Sequence, residues 1–444
     1  MTMSFAAFGG RAAALLEGKR WFRGVLHCHS IWSDGRAFPE ESVEWYRSHG
    51  YHFLSLTDHN VFQDDKNVWV KAHKKFGWKK PTQDIVDRYL KAYANAEVRH
   101  DESGEISVRL RTYEELKRRY EVPGGFLLYP GFEMTHSLTE PDGVRREVHL
   151  NVINIPDVPS EYRSEMSVRA VNGVTASDLI RQKRVAVESL PAAGMRPHLF
   201  IENHPIWRWY DLGPETLIDN PEVRFFEVCN GGAAMEGSKD LPDDGWDTDR
   251  FWDVVNAFRA RRGQRLLYGI GTDDSHHFHG GDHPMCIPGN AWCQVRSVSP
   301  QAEDIIPAMH RGDFLACEGL EAEDVSFDRK SGTLHVSVAG APAMTRKITF
   351  IVSQRDFDEK PAKSVSIVHE KDAKGFRRTV NSYTGVGVTV RTVVGKPGEA
   401  VSAAYTLGAD DLYVRARIES PEPPLCRVAL HPKSVCCWTQ PYSA

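Results

Sequence analysis

Histidine, aspartate and glutamate side chains recur where the apolar runs of this 444-residue chain end. The first run, "WFRGVL", is followed by His27 and His29, with Asp34 a few residues beyond. The residues of the same types in or after later runs are Asp58, His59, Glu133, His149, His204, Asp274 and His276. Imidazole and carboxylate groups are the ligands that suit zinc, manganese, iron and similar divalent ions. The pattern therefore predicts a metal site.

The number of these residues predicts more than one metal ion. Without Asp58 the set has nine members, whereas a tetrahedral ion takes four ligands. Burying so many polar groups without a cation would be costly, although a single histidine at a strand end is usually an ordinary hydrogen-bonded residue. We therefore predict a centre of two or three divalent ions (Zn, Mn or Fe), with Glu133 as the bridging ligand.

The spacing within the first and last motifs indicates where the side chains point. Residues i and i+2 of a strand face the same side, so His27 and His29 point together and Cys28 points away. The run "TDDSHH" repeats this spacing but leaves two alternatives open at each position: Asp273 or Asp274, and His276 or His277. Asp58 is either a carboxylate that orients neighbouring ligands or a capping residue.

The elements that must bring these residues together form a regular alternation. Strand-like runs such as "RPHLFIENHP" alternate with amphipathic helical stretches between Trp21 and Gly319. Such an alternation predicts parallel β/α units, and about seven of them favour a closed barrel. The strand carboxyl ends of a barrel share one face, where the scattered ligands would become neighbours.

The rest of the chain divides around this α/β barrel. We predict an N-terminal extension (1–20), the barrel (21–320) and a C-terminal β-rich region (321–444). Residues 61–124 are polar and break the alternation, so we interpret them as an insertion beside the site. Runs after residue 320, such as "RKITFIVSQ", are short, alternating and β-branched, which predicts a small antiparallel β-sandwich.

Composition narrows the classes of partner. The formal net charge of −5 does not favour nucleic acid or an anionic membrane surface, which would need a basic balance. No apolar run reaches the roughly 18 residues of a membrane span. The 8 cysteines include no CxxC pair and form no disulfide framework, which predicts a reducing, cytoplasmic location. No feature of the sequence sets the oligomeric state.

Taken together, the motifs "HCHSIWSDG", "LTDHN", "GFEMT", "ENHP" and "GTDDSH" resemble those of the PHP (polymerase and histidinol phosphatase) family. The resemblance implies a distorted seven-stranded β/α barrel with a di- or trinuclear metal centre. It is most like the branch that contains a carbaryl hydrolase. It makes the nine residues above the ligands, and the D-x-H pattern of the family favours Asp274 and His276. Several members of the family carry histidine where Asp34 stands, so we expect a third metal ion to bind more weakly in this chain.

We predict a metal-dependent hydrolase that acts on a small, phosphorylated substrate. A water held between two ions is acidified and becomes hydroxide near neutral pH, so no serine or cysteine nucleophile is needed. The leading hypothesis is a phosphoesterase. One alternative is a metal-dependent ester, carbamate or amide hydrolase, and another is a non-catalytic metal- or sugar-binding protein.

Four residues near the predicted ligands are candidates for substrate binding: Arg36, Arg208, Asn230 and His277. Arginine is the best bidentate partner for phosphate, which favours Arg36 and Arg208. Asn230 ends the run "FFEVCN" and either contacts substrate or makes a turn. The predicted catalytic groups are Glu133, as the bridge, and Asp58, acting through its neighbours.

Overall fold

The computed structural model describes residues 18–206, 212–231, 248–279, 286–368, 377–422 and 434–444, and shows a mixed α/β protein. The helices are Pro39–Ser48 (α1), Gln83–Ala92 (α2), Tyr113–Tyr120 (α3), Ser160–Met166 (α4), Ala176–Glu188 (α5), Pro214–Ile218 (α6), Thr248–Arg261 (α7) and Ala302–His310 (α8). None of the helices in these ranges combines the length and apolar character needed to cross a membrane.

The strands of the first part of the chain are Arg20–Val25 (β1), Phe53–Leu54 (β2), Trp69–Lys71 (β3), Val98–His100 (β4), Ile106–Arg109 (β5), Leu127–Leu128 (β6), Gly131–Thr139 (β7), Arg145–Ile153 (β8), Ala170–Asn172 (β9), Leu199–Glu202 (β10), Phe225–Asn230 (β11), Tyr268–Thr272 (β12), Ala291–Ser297 (β13) and Phe314–Glu318 (β14). Those of the C-terminal part are Asp324–Asp328 (β15), Thr333–Val338 (β16), Lys347–Gln354 (β17), Lys363–Val368 (β18), Arg377–Ser382 (β19), Val388–Val394 (β20), Val401–Thr406 (β21), Asp411–Ser420 (β22) and Val435–Thr439 (β23).

Two large sheets carry the fold. One has nine strands in the order β20-β17-β22-β23-β14-β13-β1-β2-β6, and the other has six in the order β12-β11-β10-β8-β7-β9. Buried side chains from both sheets, including Phe22, Phe53, Ile201, Phe225 and Ile270, form one apolar cluster. The strands β10, β11 and β12 are parallel, and their nearly continuous apolar sequences are explained by burial on both faces.

The two large sheets are also joined at two isolated bridges. Cys28 pairs with Ser275, just beyond β1 and β12, and His59 pairs with Glu133, beyond β2 and within β7. Both bridges lie at the ends where the predicted ligands follow the strands. The backbone of His29 donates to the carbonyl of Ser275 at 3.0 Å, which extends the first bridge.

The alternation of strands and helices predicted parallel strands, but not all of the strands are parallel. β8 runs antiparallel to β7 and to β10, because β7 and β8 are joined by a short turn and not by a helix. In that turn the backbone nitrogen of Glu140 donates to the carbonyl of Val144. Gly143 has a φ of 84°, in the left-handed region that glycine adopts easily. The sequence analysis also missed β13, which pairs antiparallel with β1.

The C-terminal region continues the nine-stranded sheet. β23 pairs antiparallel with both β14 and β22, so residues on either side of residue 320 share one hydrogen-bonded ladder. The strands β15 to β22 pair antiparallel with one another, including those of the smaller sheet β15-β16-β21. A buried arginine, Arg415 in β22, lies 2.7 Å from Asp249 and 2.6 Å from Asp253, two carboxylates of α7.

Residues 61–124 form a compact unit of two helices and the three-stranded sheet β3-β5-β4. Their buried residues Val70, Ile85 and Val108 share an apolar cluster with Ile31 and Trp32. Ile31 and Trp32 lie two and three residues after His29, so this unit packs against the loop that carries the first predicted ligands.

Candidate metal centre

The first pair of predicted ligands forms one arm of the centre. His27 and His29 are fully buried after β1, and their Nε2 atoms lie 3.0 Å apart. The backbone nitrogen of Cys28 between them donates to Thr57 Oγ1 at 3.2 Å, and its thiol is buried. The extended backbone thus points the two imidazoles to one side, as the i, i+2 spacing predicts.

Asp58 shapes the loop that follows this arm. One of its carboxylate oxygens accepts from the backbone nitrogen of Ser30 at 2.8 Å and from Ser33 Oγ at 2.6 Å. The same Ser33 hydroxyl lies 3.4 Å from His29 Nδ1. Burial raises the pKa of Asp58 to about 6, despite these hydrogen bonds. The structure therefore places Asp58 behind the ligands, where it holds the loop that leads to Asp34.

Asp34, His59 and His276 surround the outer part of the centre. Asp34 Oδ1 lies 3.4 Å from His276 Nε2 and 3.7 Å from His59 Nε2. The rings of His59 and His276 each stack on His29, with ring centroids 4.3 and 4.2 Å away. His29, Asp34, His59 and His276 together can offer ligand atoms to one ion.

Glu133 lies in the middle of the centre. Its Oε1 is 3.0 Å from His149 Nδ1 and 3.4 Å from His27 Nε2, and its other oxygen pairs with His59 Nδ1. Asn203 Nδ2 donates to Oε1 at 2.7 Å. Burial alone would raise the pKa of Glu133, but the surrounding imidazoles outweigh it and hold that pKa well below its usual range. Glu133 belongs to two groups that can hold an ion, one with His27 and His29 and one with His59 and His149.

The structure separates the two aspartates of "TDDSHH". Asp274 Oδ1 lies 3.1 Å from His29 Nε2 and 3.3 Å from His27 Nε2. Asp273 points the other way, accepting from Tyr46 OH at 2.8 Å and from the backbone nitrogens of residues 289–291. His276 Nε2 faces Asp34 in the centre, and the backbone nitrogens of His276 and His277 both donate to the carbonyl of Cys286, at 2.7 and 3.0 Å.

Glu227 is a member of the centre that the sequence analysis missed. Its Oε1 is 2.6 Å from His27 Nδ1, and its Oε2 accepts from the backbone nitrogen of His204 at 2.9 Å. His27, His204 and Glu227 can hold an ion together. The available signal was a lone carboxylate within the apolar run "FFEVCN", because a buried charge needs a partner. Asn230 Nδ2 donates to Glu227 Oε2 at 2.7 Å, so Asn230 braces a carboxylate of the centre.

Two residues of the centre have left-handed backbone conformations. The φ of His204 is 29° and that of Asp274 is 48°, and neither residue is glycine. Such conformations are uncommon outside glycine and cluster at functional sites, where the surrounding structure maintains them. Here they turn the chain beyond β10 and β12 so that both side chains enter the centre.

The side chains fit divalent cations. Asp34 Oδ1, Glu133 Oε2 and Asp274 Oδ1 are buried and accept no hydrogen bond from the part of the chain that the structure describes. Each of them instead faces imidazole nitrogens within 4.0 Å. Burial, followed by the neighbouring His276 and His59, lowers the pKa of His29 to about 3, which keeps this imidazole neutral, the form that binds metal.

The centre is open on the side of Asp34. The side chain of Asp34 is 38% exposed, whereas those of His27 and Glu133 are fully buried. Two arginines stand near this opening. The Arg36 guanidinium lies 4.3 Å above the ring of Phe76, and its backbone nitrogen donates to the carbonyl of His276 at 2.7 Å.

The second arginine, Arg169, is another residue that the sequence analysis missed. Its guanidinium lies 3.9 Å above the ring of Trp78, and that ring stacks on His59 with centroids 5.8 Å apart. The loop 73–80 therefore carries the two rings on which these guanidinium groups lie, and one of the rings, that of Trp78, also contacts His59. Arg208, the other arginine predicted to bind substrate, lies outside the described residues.

Comparisons with known proteins yield loose structural likeness only. No family model matches the chain, and no curated protein matches it. Among solved structures it is similar to a two-domain protein from Bacteroides vulgatus containing a predicted PHP-like metal-dependent phosphoesterase, at 15% identity and a TM-score of 0.38, over 97% of this chain and 96% of that one.

It is also similar to a candidate metal-dependent phosphoesterase from Bifidobacterium adolescentis, at 14% identity and a TM-score of 0.26, over 59% of this chain and 90% of that one. An amidohydrolase from Chromobacterium violaceum, with bound sulfate and no metal, gives 15% identity and a TM-score of 0.26, over 60% and 88% of the two chains. Identities of 14–15% and TM-scores of 0.26–0.38 show no more than a loose likeness.

Proposed function

We propose that this protein is a metal-dependent phosphoesterase of the PHP type, with a centre of two or three divalent ions that acts on a small phosphate ester. The observation that carries the proposal is the convergence of buried imidazoles on carboxylate oxygens that accept no hydrogen bond among the described residues. We also propose that the strands around the centre form the distorted barrel of that family. The names of the three structural relatives agree with a hydrolase of this general class.

The bound ions would act as Lewis acids and lower the pKa of water, which is the chemistry expected of such a centre. Four overlapping groups of the chain's own residues would hold them. One group contains Asp34, one contains Glu227, and the other two share Glu133. Asp58 and Asn230 do not need to touch substrate, because their hydrogen bonds fix the loop and the carboxylate that present the ligands.

The arginines favour phosphate over a neutral ester or carbamate. Neither Arg36 nor Arg169 has a carboxylate within 4.0 Å in the ranges that the structure covers, and their guanidinium groups rest on aromatic rings. A cation–π contact orients a guanidinium but leaves its N–H donors available. Two oriented, positively charged donor groups on a loop that contacts His59 through Trp78 suit an anionic phosphate, whereas a carbamate offers no charge for them to bind.

The proposed function is tested by the metal content of the purified protein and by a substrate panel. We expect bound Zn, Mn or Fe, activity that chelation removes, and recovery when Mn²⁺ or Zn²⁺ is added. The panel contains p-nitrophenyl phosphate, bis-p-nitrophenyl phosphate, p-nitrophenyl acetate and a naphthyl carbamate. Turnover of the acetate or carbamate with neither phosphate ester cleaved would replace the phosphoesterase with the alternative hydrolase.

A matched pair of variants tests the role of Glu133. Glu133→Gln should lower the metal content and reduce phosphoesterase activity by about 100-fold or more, because the bridging charge is lost. Glu318→Gln is the control, since Glu318 is also a fully buried carboxylate but belongs to none of the ligand groups. Burial raises the pKa of Glu318 to about 8, so glutamine resembles its protonated form near neutral pH. Equal losses in both variants would contradict a specific role for Glu133.

A further inference from the structure

A second cavity lies at the opposite ends of the strands from the metal centre. It has a volume of about 720 Å³ and is lined by residues that precede β10 and β11, together with the ends of α5, α7 and α8. His198 precedes β10, whereas His204 follows it, and strands rise about 3.3 Å per residue. The cavity is therefore roughly 20 Å from the centre and belongs to a separate site.

The lining of this cavity is strongly basic. Its titratable side chains include Arg184, Arg196, His198, Arg224, Arg265 and His310. Arg184 pairs with Glu188, which leaves Glu222 as the other carboxylate of the lining. Within the described ranges, Arg196, Arg224 and Arg265 have no carboxylate within 4.0 Å, in a chain whose net charge is −5.

The cavity is built from side chains that are already held in place. Arg224 Nε donates to the carbonyl of Leu266 at 3.1 Å, and its guanidinium lies 4.9 Å above the ring of Tyr268. His310 Nε2 lies 3.2 Å from the carbonyl oxygen of His198. Burial, and then the positive charge of Arg265, lower the pKa of Arg224. These positive groups repel one another, so a bound anion would relieve an existing electrostatic cost.

The remaining lining residues indicate what kind of anion fits. Phe200 and Phe225 are buried and give the cavity an apolar floor, which suits the organic part of a ligand. Gln264 Oε1 is buried and accepts no hydrogen bond among the described residues, so a ligand hydroxyl could donate to it. The volume lies within the range of about 300–1,000 Å³ that is typical of small-molecule sites.

We propose that this basic cavity binds a small phosphate-bearing molecule, independently of the metal centre. Arginine binds phosphate in a bidentate manner and is the residue most suited to it. Three of the arginines that line this cavity have no carboxylate partner in the part of the chain that the structure describes. The proposal does not depend on the reaction of the metal centre. Such a site would let a phosphorylated metabolite bind without entering the catalytic opening.

Hydrogen exchange measured by mass spectrometry, with inorganic phosphate as the probe, distinguishes the two sites. We expect phosphate, compared with chloride at equal ionic strength, to slow exchange in residues 222–226 and 262–267 of the full-length protein. The double variant Arg196→Gln/Arg265→Gln should lose this protection, and the apparent Kd there should rise at least about tenfold. Both arginines are exposed, so their replacement should not unfold the chain.

The matched control is Arg262→Gln, which removes an exposed arginine that follows α7 but does not line the cavity. It should keep the full protection. Phosphate protection confined to residues 27–34 and 272–277 would place phosphate at the metal centre alone and overturn the proposal. Protection that survives in the double variant, no protection anywhere, or equal protection by succinate would overturn it as well.

Discussion

Glu227 connects two predicted ligands, His27 and His204, which follow different strands. It holds the imidazole of His27 through one carboxylate oxygen and the backbone of His204 through the other. Asn230 donates to the same carboxylate, so its orientation is fixed from two sides. A residue that contacts ligands in this way fixes their direction even where it does not itself bind an ion.

Glu227→Gln should therefore weaken metal binding by about 10–100-fold, because glutamine keeps the shape but loses the charge. The measurement is the metal retained after dialysis against a weak chelator, followed over increasing chelator concentration. Asn230→Ala should weaken metal binding less, since it removes only the hydrogen bond from Asn230 to the carboxylate of Glu227. Unchanged metal retention in Glu227→Gln would show that His27 is held without this carboxylate.

Glu318 should make folding stability depend on pH. Its pKa rises from an ordinary 4.5 to about 8 on burial, so between these values the folded chain keeps a proton that the unfolded chain releases. Stability should then fall as pH rises through this window, by up to about 1.4 kcal/mol per pH unit. Glu318→Gln removes this dependence. Urea unfolding of both proteins at pH 5, 6, 7 and 8, with the same metal content, should show a difference that grows with pH; parallel profiles would contradict it.

At this scale, the sequence could indicate ligand types but not every member of the centre. The structure brings the nine predicted ligands together, since each follows or lies in a strand that reaches the same end of the two sheets. The sequence analysis missed Glu227 because its local sequence does not show that its carboxylate faces His27, which follows another strand. The sequence analysis also missed Arg169, because the position of its guanidinium depends on a contact with Trp78, which lies about ninety residues earlier in the chain.

At the scale of elements, the loop 73–80 connects the insertion to the centre. The backbone nitrogen of Lys79 donates to the carbonyl of Ser33 at 2.8 Å, which fixes the loop against the segment that carries Asp34. Phe76 and Trp78 then place the guanidinium groups of Arg36 and Arg169. Residues 61–124 thus supply contacts around the loop that carries Asp34, whereas the predicted ligands lie in or follow the strands of the two large sheets.

Arg169→Ala should raise the KM for p-nitrophenyl phosphate by about 10-fold and change kcat less, because it removes charge at the opening and leaves the ligands intact. Metal content should stay the same. Arg99→Ala is the matched control: Arg99 lies 4.5 Å above the ring of Trp69 in the same insertion, but has no contact with the centre in the described ranges. An equal effect of both substitutions on KM would contradict a role specific to Arg169.

The elements themselves could be predicted only as far as local patterns reach. The helical stretches around α1, α5 and α7 follow from amphipathic sequence, and α1 also has proline at its first position and Glu40 and Glu41 in its first turn. The antiparallel direction of β8 follows from the Asp-Gly turn, which the alternation of strands and helices does not reveal. Strand order across the sheets depends on contacts far apart in sequence.

At the scale of the whole molecule, the nine-stranded sheet joins the C-terminal region to the part that carries the centre. The ladder from β14 through β23 to β22 crosses residue 320 without interruption. Arg415 strengthens this connection, because it brings β22 to the two carboxylates of α7 in the protein interior. We therefore expect the two parts to unfold together.

Arg415→Ala should lower the free energy of unfolding by about 3–5 kcal/mol, since Asp253 would stay buried without a cationic partner among the described residues and Asp249 would keep only Arg417. Urea unfolding followed by far-UV circular dichroism measures this loss. Arg391→Ala, at an exposed position of β20, should change the free energy by no more than about 0.5 kcal/mol. A second, separate transition in the wild-type protein would show that the two regions unfold independently.

The bridge between His59 and Glu133 gives one pair of residues two duties. Its backbone groups help to join the two large sheets, and its side chains face the other predicted ligands. Because main-chain groups make the bridge, it does not depend on the identity of either side chain. A substitution of His59 or Glu133 would therefore change the centre while the two sheets could stay joined, so a descendant of this protein could lose the centre and keep its fold, provided that proline entered neither position.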